Sequence, residues 1–350
     1  MHRDGWFPLE EASMSPANPL LRAALAWAIM TACVSAFAFG PDGHQTVGEL
    51  ADSLIAGTNA ESQVQNILGM TLEQASVWAD CAKGVTRTQS GKFVYQGAGH
   101  YPECKPFETT TGKSAMVAFV KRNWSGCHPA ADEEVCHKQY HYTDVALQRG
   151  QYQRGLVGTS EHDIVAAIRA AIIKLQGGTT PSPIDFASKR EALLLLSHYV
   201  GDIHQPLHVS AVYLDAQGHV VDPDQGTFDP QTKTIGGNSI LDAGKKLHFE
   251  WDQVPAALKP DQLGVSGVAE ARAIPLTSGD IITWPAQWAT DTMHSAAPAF
   301  SGTAFSAEDA SKHWQVTLPA NYVSEREAVQ RAQLIKAGAR LAQLLQAIWP

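Results

Sequence analysis

Residues 188–208 read SKREALLLLSHYVGDIHQPLH, and this stretch predicts a buried helix that ends among polar side chains. Ser188 and Glu191 have the spacing of a capping box, in which each side chain bonds a free backbone N–H of the first helical turn. The run ALLLL follows directly and supplies the apolar surface of a core helix. We therefore predict a helix that begins after Ser188 and extends toward the histidines.

The polar end of this segment has the spacing of a metal site. His198 and Asp202 are four residues apart, so a helix projects both from one face. Pro206 clashes with the carbonyl four residues before it and ends or kinks the helix there. The chain can then fold back and direct His208 toward the same group, whereas His204 faces away and is the weaker candidate.

A second pair repeats this spacing in the segment HFEWD, where His248 and Asp252 are also four residues apart. One such pair alone is usually a surface or capping pair. Two pairs and His208 in one chain favour metal binding, because buried imidazoles and carboxylates are costly unless paired or coordinated. Zinc accepts nitrogen and oxygen ligands but uses only three or four of them, so five groups indicate more than one ion.

Helical patterns dominate the rest of the chain, and strand-like alternation is scarce. Capping boxes at 160–163 and 324–327 precede two further predicted helices, and 71–80 predicts a short one. Loops rich in Gly, Pro and Asp are predicted between the helices, one of them with a short hairpin; they cover 84–114, 123–136, 214–238 and 254–280. The simplest architecture is a single mainly α domain over 39–350 with long, disulfide-tied loops.

Composition and charge restrict the class of protein. Of the 350 residues, 44% are hydrophobic and 17% are charged, which excludes disorder over most of the length. The formal net charge of −9 excludes a basic shell around the whole molecule. A nucleic-acid substrate is still compatible, because bound metal cations are absent from the formal count.

The first 38 residues resemble a secretory signal peptide. Arg22 precedes an apolar run of about 16 residues that ends in the cleavage signal Ala36-Phe37-Ala38. This run is shorter than the ~20 residues of a comfortable membrane span, although a membrane anchor or a buried helix is the alternative. Residues 1–13 add nothing to a signal, so Met14 is an alternative start. We predict export to the periplasm or the medium, a mature chain from Phe39, and no stable membrane association.

Cysteine usage agrees with export. Four cysteines remain after residue 38, and an even number in a secreted chain indicates disulfides, with three possible connectivities. Sequence proximity alone favours Cys127–Cys136 and Cys81–Cys104. A zinc site with four thiolates is the competing interpretation, and the irregular spacings and the oxidising compartment disfavour it. No feature of the sequence indicates an obligate oligomer, so we expect a monomer.

A set of short motifs resembles one enzyme family. In chain order they are FGPDGH, WADCAK, HYTD, HYVGDIHQPLH, GGN and LHFEWD, and they span residues 39–252. The combination resembles the zinc-dependent nuclease family typified by fungal single-strand nucleases and plant bifunctional nucleases. The resemblance implies a mainly α fold of the phospholipase C/zinc nuclease type with three zinc ions at the bottom of a cleft.

The resemblance also implies the ligands of each ion. The first zinc would use Asp80, His141, His198 and the bridging Asp202; the second His44, Asp202, and the amino nitrogen and carbonyl oxygen of Phe39; the third His208, His248 and Asp252. Family members usually begin with Trp where this chain has Phe39. Main-chain atoms bind the metal there, so Phe should serve, provided that signal removal frees the terminus.

The family's chemistry supplies further expectations. Zinc lowers the pKa of bound water to about 7, which provides a hydroxide nucleophile for in-line attack on phosphorus. The expected products are 5′-phosphorylated nucleotides from single-stranded RNA and DNA, with removal of 3′-phosphates from mononucleotides as a second activity. Lys83 matches a cation beside the scissile phosphate, Tyr142 a base-stacking aromatic and Asp144 a base-edge ligand. Asn238 lies in GGN, which matches a family motif, but the sequence indicates no role for its side chain.

Two other functions are compatible with the same residues. A zinc phospholipase C shares the fold and the His-Asp-His core, but it carries Glu at the last ligand position, where this chain has Asp252. A secreted zinc-sequestering protein would need no lysine beside the metals and no pocket for a base. The nuclease is therefore the favoured prediction.

Overall fold

The computed structural model describes residues 39–131 and 133–350. The predicted signal peptide, its cleavage site and the alternative start at Met14 lie outside the described residues. All described residues belong to one compact unit. Among them, no helix combines the length and the apolar composition that crossing a membrane requires.

Helices form most of the regular structure, which confirms the predicted mainly α class. The α-helices are α1 Pro41–Ile55, α2 Asn59–Leu68, α3 Leu72–Ala75, α4 Trp78–Ala82, α5 Thr110–Arg122, α6 Cys136–Gln139, α7 Ile164–Leu175, α8 Lys189–Asp202, α9 Leu247–Asp252, α10 Gly264–Arg272, α11 Trp284–His294, α12 Ala297–Phe300 and α13 Tyr322–Ile348. Short 3-10 helices include Pro102–Phe107 and Pro206–His208.

The strands are short and form small sheets. They are β1 Val85–Arg87, β2 Phe93–Tyr95, β3 Val145–Ala146, β4 Ser210–Ala211, β5 Tyr213–Leu214, β6 Val220–Val221, β7 Ile240–Asp242, β8 Lys245–Lys246, β9 Ala304–Phe305 and β10 Trp314–Thr317. One sheet has the order β8-β7-β10-β9, with β7 and β10 parallel. The β5–β6 pair is the hairpin predicted within 214–238, although it begins one residue earlier.

The core is built around α8. Its residues from Ala192 to Asp202 are all buried, and it contacts α1, α7 and α13. The long helix α13 lies against α1, and a Cβ on Gly338 would approach Cβ of Leu50 to 2.5 Å. Glycine therefore permits this close helix contact. The polar end of α8 is held in the interior by the packing on its other turns.

Two predicted capping boxes are wrong in detail. Helix α7 begins at Ile164, and the side chain of Asp163, rather than Ser160, accepts from a first-turn N–H. Helix α13 begins upstream of the predicted Ser324, with Asn321 at its N-terminal boundary. By contrast, Ser188 caps α8 as predicted.

Other boundaries also differ from the predictions. The segment predicted as one helix over 71–80 forms α3 and α4, with a break between them. The predicted loop over 254–280 contains α10, and the predicted loop over 84–114 contains the antiparallel β1–β2 pair and the start of α5. Local pattern was too weak to reveal these elements, which contact other parts of the chain.

Both disulfides that proximity favoured are present. Cys81 is bonded to Cys104, and Cys127 to Cys136. The competing four-thiolate zinc site is therefore excluded. The first bond attaches the 84–109 segment to α4, the helix that carries Asp80.

Candidate metal centre

Strand pairing brings two distant motifs together. The parallel pair β3–β4 places Val145 beside Ser210, so the strand after HYTD runs next to the strand after HQPLH. Just before it, the backbone N–H of Thr143 donates to the carbonyl of His208 at 2.8 Å. This pairing places His141 against the C-terminal end of α8, where His198 and Asp202 lie.

The first cluster consists of His141, His198 and Asp202, all of them buried. One carboxylate oxygen of Asp202, Oδ2, lies 2.8 Å from Nδ1 of His141 and 3.2 Å from Nε2 of His198. The two histidine nitrogens are 3.2 Å apart. Four-residue spacing on α8 and the β3–β4 pairing together produce this arrangement.

His44, Asp80 and His198 form a second, overlapping cluster. The rings of His44 and His198 are stacked at 3.7 Å between centroids. A Cβ on Gly201 would lie only 2.7 Å from Nδ1 of His44, so glycine leaves the space for this ring. Nε2 of His44 is also 3.3 Å from Oδ1 of Asp202, and both oxygens of Asp202 therefore face imidazoles.

The third cluster contains His208, His248 and Asp252, again all buried. Helix α9 places His248 and Asp252 one turn apart, with Nε2 and Oδ2 3.6 Å from each other. His208 lies with this pair rather than with His198 and Asp202, where the Pro206 argument had directed it. His204 lies outside these clusters, as predicted. Its Nδ1 contacts the carbonyl oxygen of Val200, and its Nε2 contacts the guanidinium of Arg340.

Hydrogen bonds fix the tautomers of the third cluster. Nδ1 of His208 lies 2.7 Å from the carbonyl of His141, and Nδ1 of His248 lies 2.7 Å from that of Gly236, so both Nδ1 atoms donate. In the neutral rings the two Nε2 atoms then carry lone pairs, and they face each other at 3.1 Å. Two nitrogens bound tetrahedrally to one zinc would be about 3.3 Å apart. The geometry fits a shared cation, which would remove the repulsion between the lone pairs.

Unpartnered polar atoms support the same interpretation. Both ring nitrogens of His44, Oδ1 of Asp202 and Oδ2 of Asp252 are buried and form no hydrogen bond with the described residues. Buried polar atoms are normally hydrogen-bonded, so unpartnered atoms that converge need an explanation such as an ion. The three His/Asp clusters could therefore hold metal ions, and their nitrogen and oxygen donors suit zinc.

Burial sets the protonation of three of these histidines, whereas for His198 the carboxylates of Asp202 and Asp80 outweigh burial and raise the pKa. Burial lowers the pKa of His141 and of His248 to about 3, and that of His208 to about 4. These rings are therefore neutral near pH 7, which is the form that binds a metal. Burial also raises the pKa of Asp252 well above its ordinary value, and a bound cation would favour the ionised carboxylate.

Asp202 behaves differently because imidazoles surround it. Burial by itself raises its pKa, but the neighbouring His198 and hydrogen bonds with His141 and His198 hold the pKa well below its ordinary value. Lys83 is nearly buried, and its Nζ lies 2.7 Å from Oδ1 of Asp80. The structure thus places Lys83 at the edge of the second cluster. The family resemblance had matched this residue to a cation beside the scissile phosphate.

Two contacts that we did not predict hold Asp252. The side-chain amide of Gln205 donates to its Oδ1 at 2.8 Å, which leaves Oδ2 free to face the cluster. The backbone N–H of Gly40 donates to the carbonyl of Asp252 at 2.7 Å. Phe39, directly before Gly40, is fully buried, and the bond from Gly40 holds this part of the chain next to the end of α9. Gln205 lies within the motif HYVGDIHQPLH. Its place between Asp202 and His208 was the signal from which the sequence could have identified this contact.

A cavity of about 630 Å³ contains the predicted base-binding residues. Tyr142 and Asp144 both line it, and burial raises the pKa of Asp144 to about 7. Ile235, which we did not predict, lines the same cavity with half of its surface exposed. Asn238 is not one of the lining residues; its amide donates to the carbonyl of Ile235.

Comparisons with known proteins show the family of this chain. The sequence model of the S1/P1 nuclease family matches residues 39–350. Endonuclease 4 of Arabidopsis thaliana is 26% identical over 184 residues, which are 47% of this chain and 61% of the relative. Endonuclease 3 of the same plant is 24% identical over 196 residues, or 51% of this chain and 60% of the relative. The chain thus spans about three fifths of the length of these relatives. Because the family match covers every described residue, the chain belongs to the S1/P1 nuclease family.

Proposed function

We propose that this protein is a secreted, zinc-dependent phosphodiesterase that cleaves single-stranded RNA and DNA to 5′-phosphorylated nucleotides and removes 3′-phosphates from mononucleotides. The observation that carries the proposal is the presence of three buried His/Asp clusters beside a lysine, together with a cavity lined by Tyr142, the residue that follows His141. Zinc bound in such clusters acts as a Lewis acid and lowers the pKa of water to about 7. The two disulfides support an oxidising compartment.

Each ligand group would hold one zinc. Following the family resemblance, the first ion would be held by Asp80, His141, His198 and Asp202, the second by His44, Asp202 and the main chain of Phe39, and the third by His208, His248 and Asp252. The third set equals the third cluster, and the first set adds Asp80 of the second cluster to the first cluster. Asp202 suits the bridging role, since its Oδ1 faces His44 while its Oδ2 faces His141 and His198. The burial of Phe39 next to Gly40, which bonds Asp252, supports a terminus that is held close to the metals.

The remaining residues would orient the substrate. The Lys83 ammonium lies at the second cluster, where it can pair with an oxygen of the scissile phosphate. The Tyr142 ring can stack on a splayed base, which favours single strands over a duplex. Asp144, with its raised pKa, can accept from or donate to the edge of that base.

The Tyr142→Ala substitution tests the stacking role. Removing the ring costs ~1–3 kcal/mol of base stacking, so we expect kcat/KM on single-stranded DNA to fall about 5- to 150-fold, mainly through KM. Tyr142→Phe keeps the ring and serves as the matched control, with activity close to the wild type. Steady-state kinetics on a short oligonucleotide measures both. Equal losses in the two variants would exclude stacking and assign the effect to the hydroxyl.

The function itself is tested on protein that begins at Phe39. We expect three zinc ions per chain by native mass spectrometry, and release of 5′-phosphorylated nucleotides from single-stranded RNA and DNA. A chelator should stop the release, and added zinc should restore it. Three zinc ions without nuclease activity would contradict the proposal: turnover of phosphatidylcholine would then indicate a phospholipase, and no turnover would indicate zinc sequestration. Zero or one zinc would contradict the ligand assignment.

A further inference from the structure

The negative charge of this chain is unevenly distributed. Residues 83–122 contain seven Lys and Arg but only two acidic residues, so this segment carries a formal charge of +5 in a chain of −9. We call residues 83–122 the basic unit. The formal charge of the whole chain conceals this positive segment. A negative total excludes a basic shell around the whole molecule, but it does not exclude a local basic surface.

The basic unit is a connected part of the fold, and it begins at the metal centre. Its first residue, Lys83, contacts Asp80 at the second cluster. The β1–β2 pair follows, α5 contacts both strands and α4, and the disulfide Cys81–Cys104 attaches the 3-10 helix at 102–107 to α4. Lys105, Lys113 and Lys121 are therefore carried by elements that contact the helix of Asp80 directly, whereas Arg87 and Lys92 belong to the β1–β2 hairpin, which contacts α5.

Most of these charges form no ion pair with the residues that the structure describes. Lys83 pairs with Asp80, and Arg122 with Glu191. Five others form no ion pair with the described residues, and all are exposed or half-exposed: Arg87, Lys92, Lys105, Lys113 and Lys121. One of the two acidic residues, Glu108, already accepts from the hydroxyl of Tyr95 and the backbone of Gly99.

The cavity that contains Tyr142 has the opposite character. Glu133, Glu134 and Glu308 line it, and its two lysines are each paired with one of these acids. A single base can enter such a cavity, but a run of phosphates along its rim would be repelled. The nucleotides that flank the scissile bond therefore gain more by passing over the basic unit, since every nucleotide adds a negative charge.

We infer that the basic unit binds the phosphates of a single strand beyond the scissile one, and so favours polynucleotides over mononucleotides. This inference rests on the proposed function. It adds a surface that tracks the backbone without reading sequence, in the manner of positively charged grooves for single strands. Binding through several Lys and Arg side chains makes the preference for long substrates sensitive to salt.

Charge reversal tests the inference. The variant Lys92→Glu/Lys121→Glu changes two side chains of the basic unit. The matched control Lys174→Glu/Arg272→Glu makes the same change in net charge on α7 and α10. The measurements are kcat/KM on an oligothymidylate and on a 3′-mononucleotide from about 50 to 200 mM salt, together with zinc content.

For the Lys92/Lys121 variant we expect the ratio of oligothymidylate to mononucleotide kcat/KM to fall about tenfold or more at low salt. Its log–log salt slope on the oligothymidylate should become shallower by about 0.7 for each lost phosphate contact. The control should keep the wild-type ratio and slope. Equal effects in both variants, or none in either, would overturn this inference alone. A zinc-loaded wild type that cleaves neither substrate would overturn the proposed function and this inference together.

Discussion

The Asp202→Asn substitution should lower kcat on single-stranded RNA by about 10²–10³-fold or more, the range for losing one group that stabilises charge in a transition state. Asp202 is fully buried, and its two oxygens face His44 on one side and His141 and His198 on the other. Asparagine has nearly the same shape, but it lacks the negative charge and presents an N–H₂ group to one of the two clusters. Two neighbouring cations would then lose their shared anionic ligand.

The measurement combines single-turnover kinetics with zinc content by mass spectrometry. We expect the variant to lose at least one zinc per chain. Asp291→Asn is the matched control, since Asp291 is a half-buried helical aspartate that pairs with Lys336 and Arg340 outside the clusters. It should keep all zinc and most of the activity. An Asp202→Asn protein with full zinc and kcat near the wild type would refute the bridging role.

Removal of metal should also lower the thermal stability of the protein substantially. Without a cation, the lone pairs of His208 and His248 face each other at 3.1 Å, and Asp252 keeps a buried oxygen without a partner. A ligand at 100–1,000 times its Kd stabilises the folded state by about 2.7–4.1 kcal/mol per site. Two or more occupied sites would therefore raise Tm by about 10 °C or more in a protein of this size.

Calorimetry with and without a chelator, at constant pH and with the disulfides intact, measures this difference. His248→Ala removes one ligand of the third cluster, so the chelator should lower its Tm by less than it lowers that of the wild type. His219→Ala changes an exposed histidine outside the clusters and should keep the full difference. Identical Tm values before and after chelation of the wild type would show that no metal stabilises the fold.

Secondary structure was predictable where the signal is local. Ser188, the N-terminal cap of α8, accepts from the backbone N–H of Glu191 in the first turn. The spacing of these two residues alone therefore identified the start of the helix. Helix α10 was missed because its sequence, GVSGVAEAR, contains two glycines and has low helix propensity. It forms where it can pack on α1 and α13, and tertiary packing rather than propensity stabilises most short helices.

The candidate metal ligands were predictable in part for the same reason. The pairs His198/Asp202 and His248/Asp252 depend only on helical spacing, and the structure places each pair within one cluster. The position of His208 depended on the path of the chain after Pro206: local geometry directed it toward His198 and Asp202, whereas the family resemblance grouped it with His248 and Asp252, as the structure does. Pairing of β3 with β4 and packing of α9 decide that path, and neither is encoded within the motif.

The sequence by itself determined the mainly α class and the pairs His198/Asp202 and His248/Asp252, because these follow from short-range spacing. Proximity favoured the two disulfide pairs that the structure contains, and the motif combination indicated the family and, through it, His44, Asp80 and His141. Only the tertiary structure decided that Gln205 and Gly40 contact Asp252, and that α5 and the 3-10 helix of 83–122 pack on α4, the helix of Asp80. The bond between Gly40 and Asp252 joins residues more than two hundred positions apart, and the free energy of packing the whole core selects such contacts.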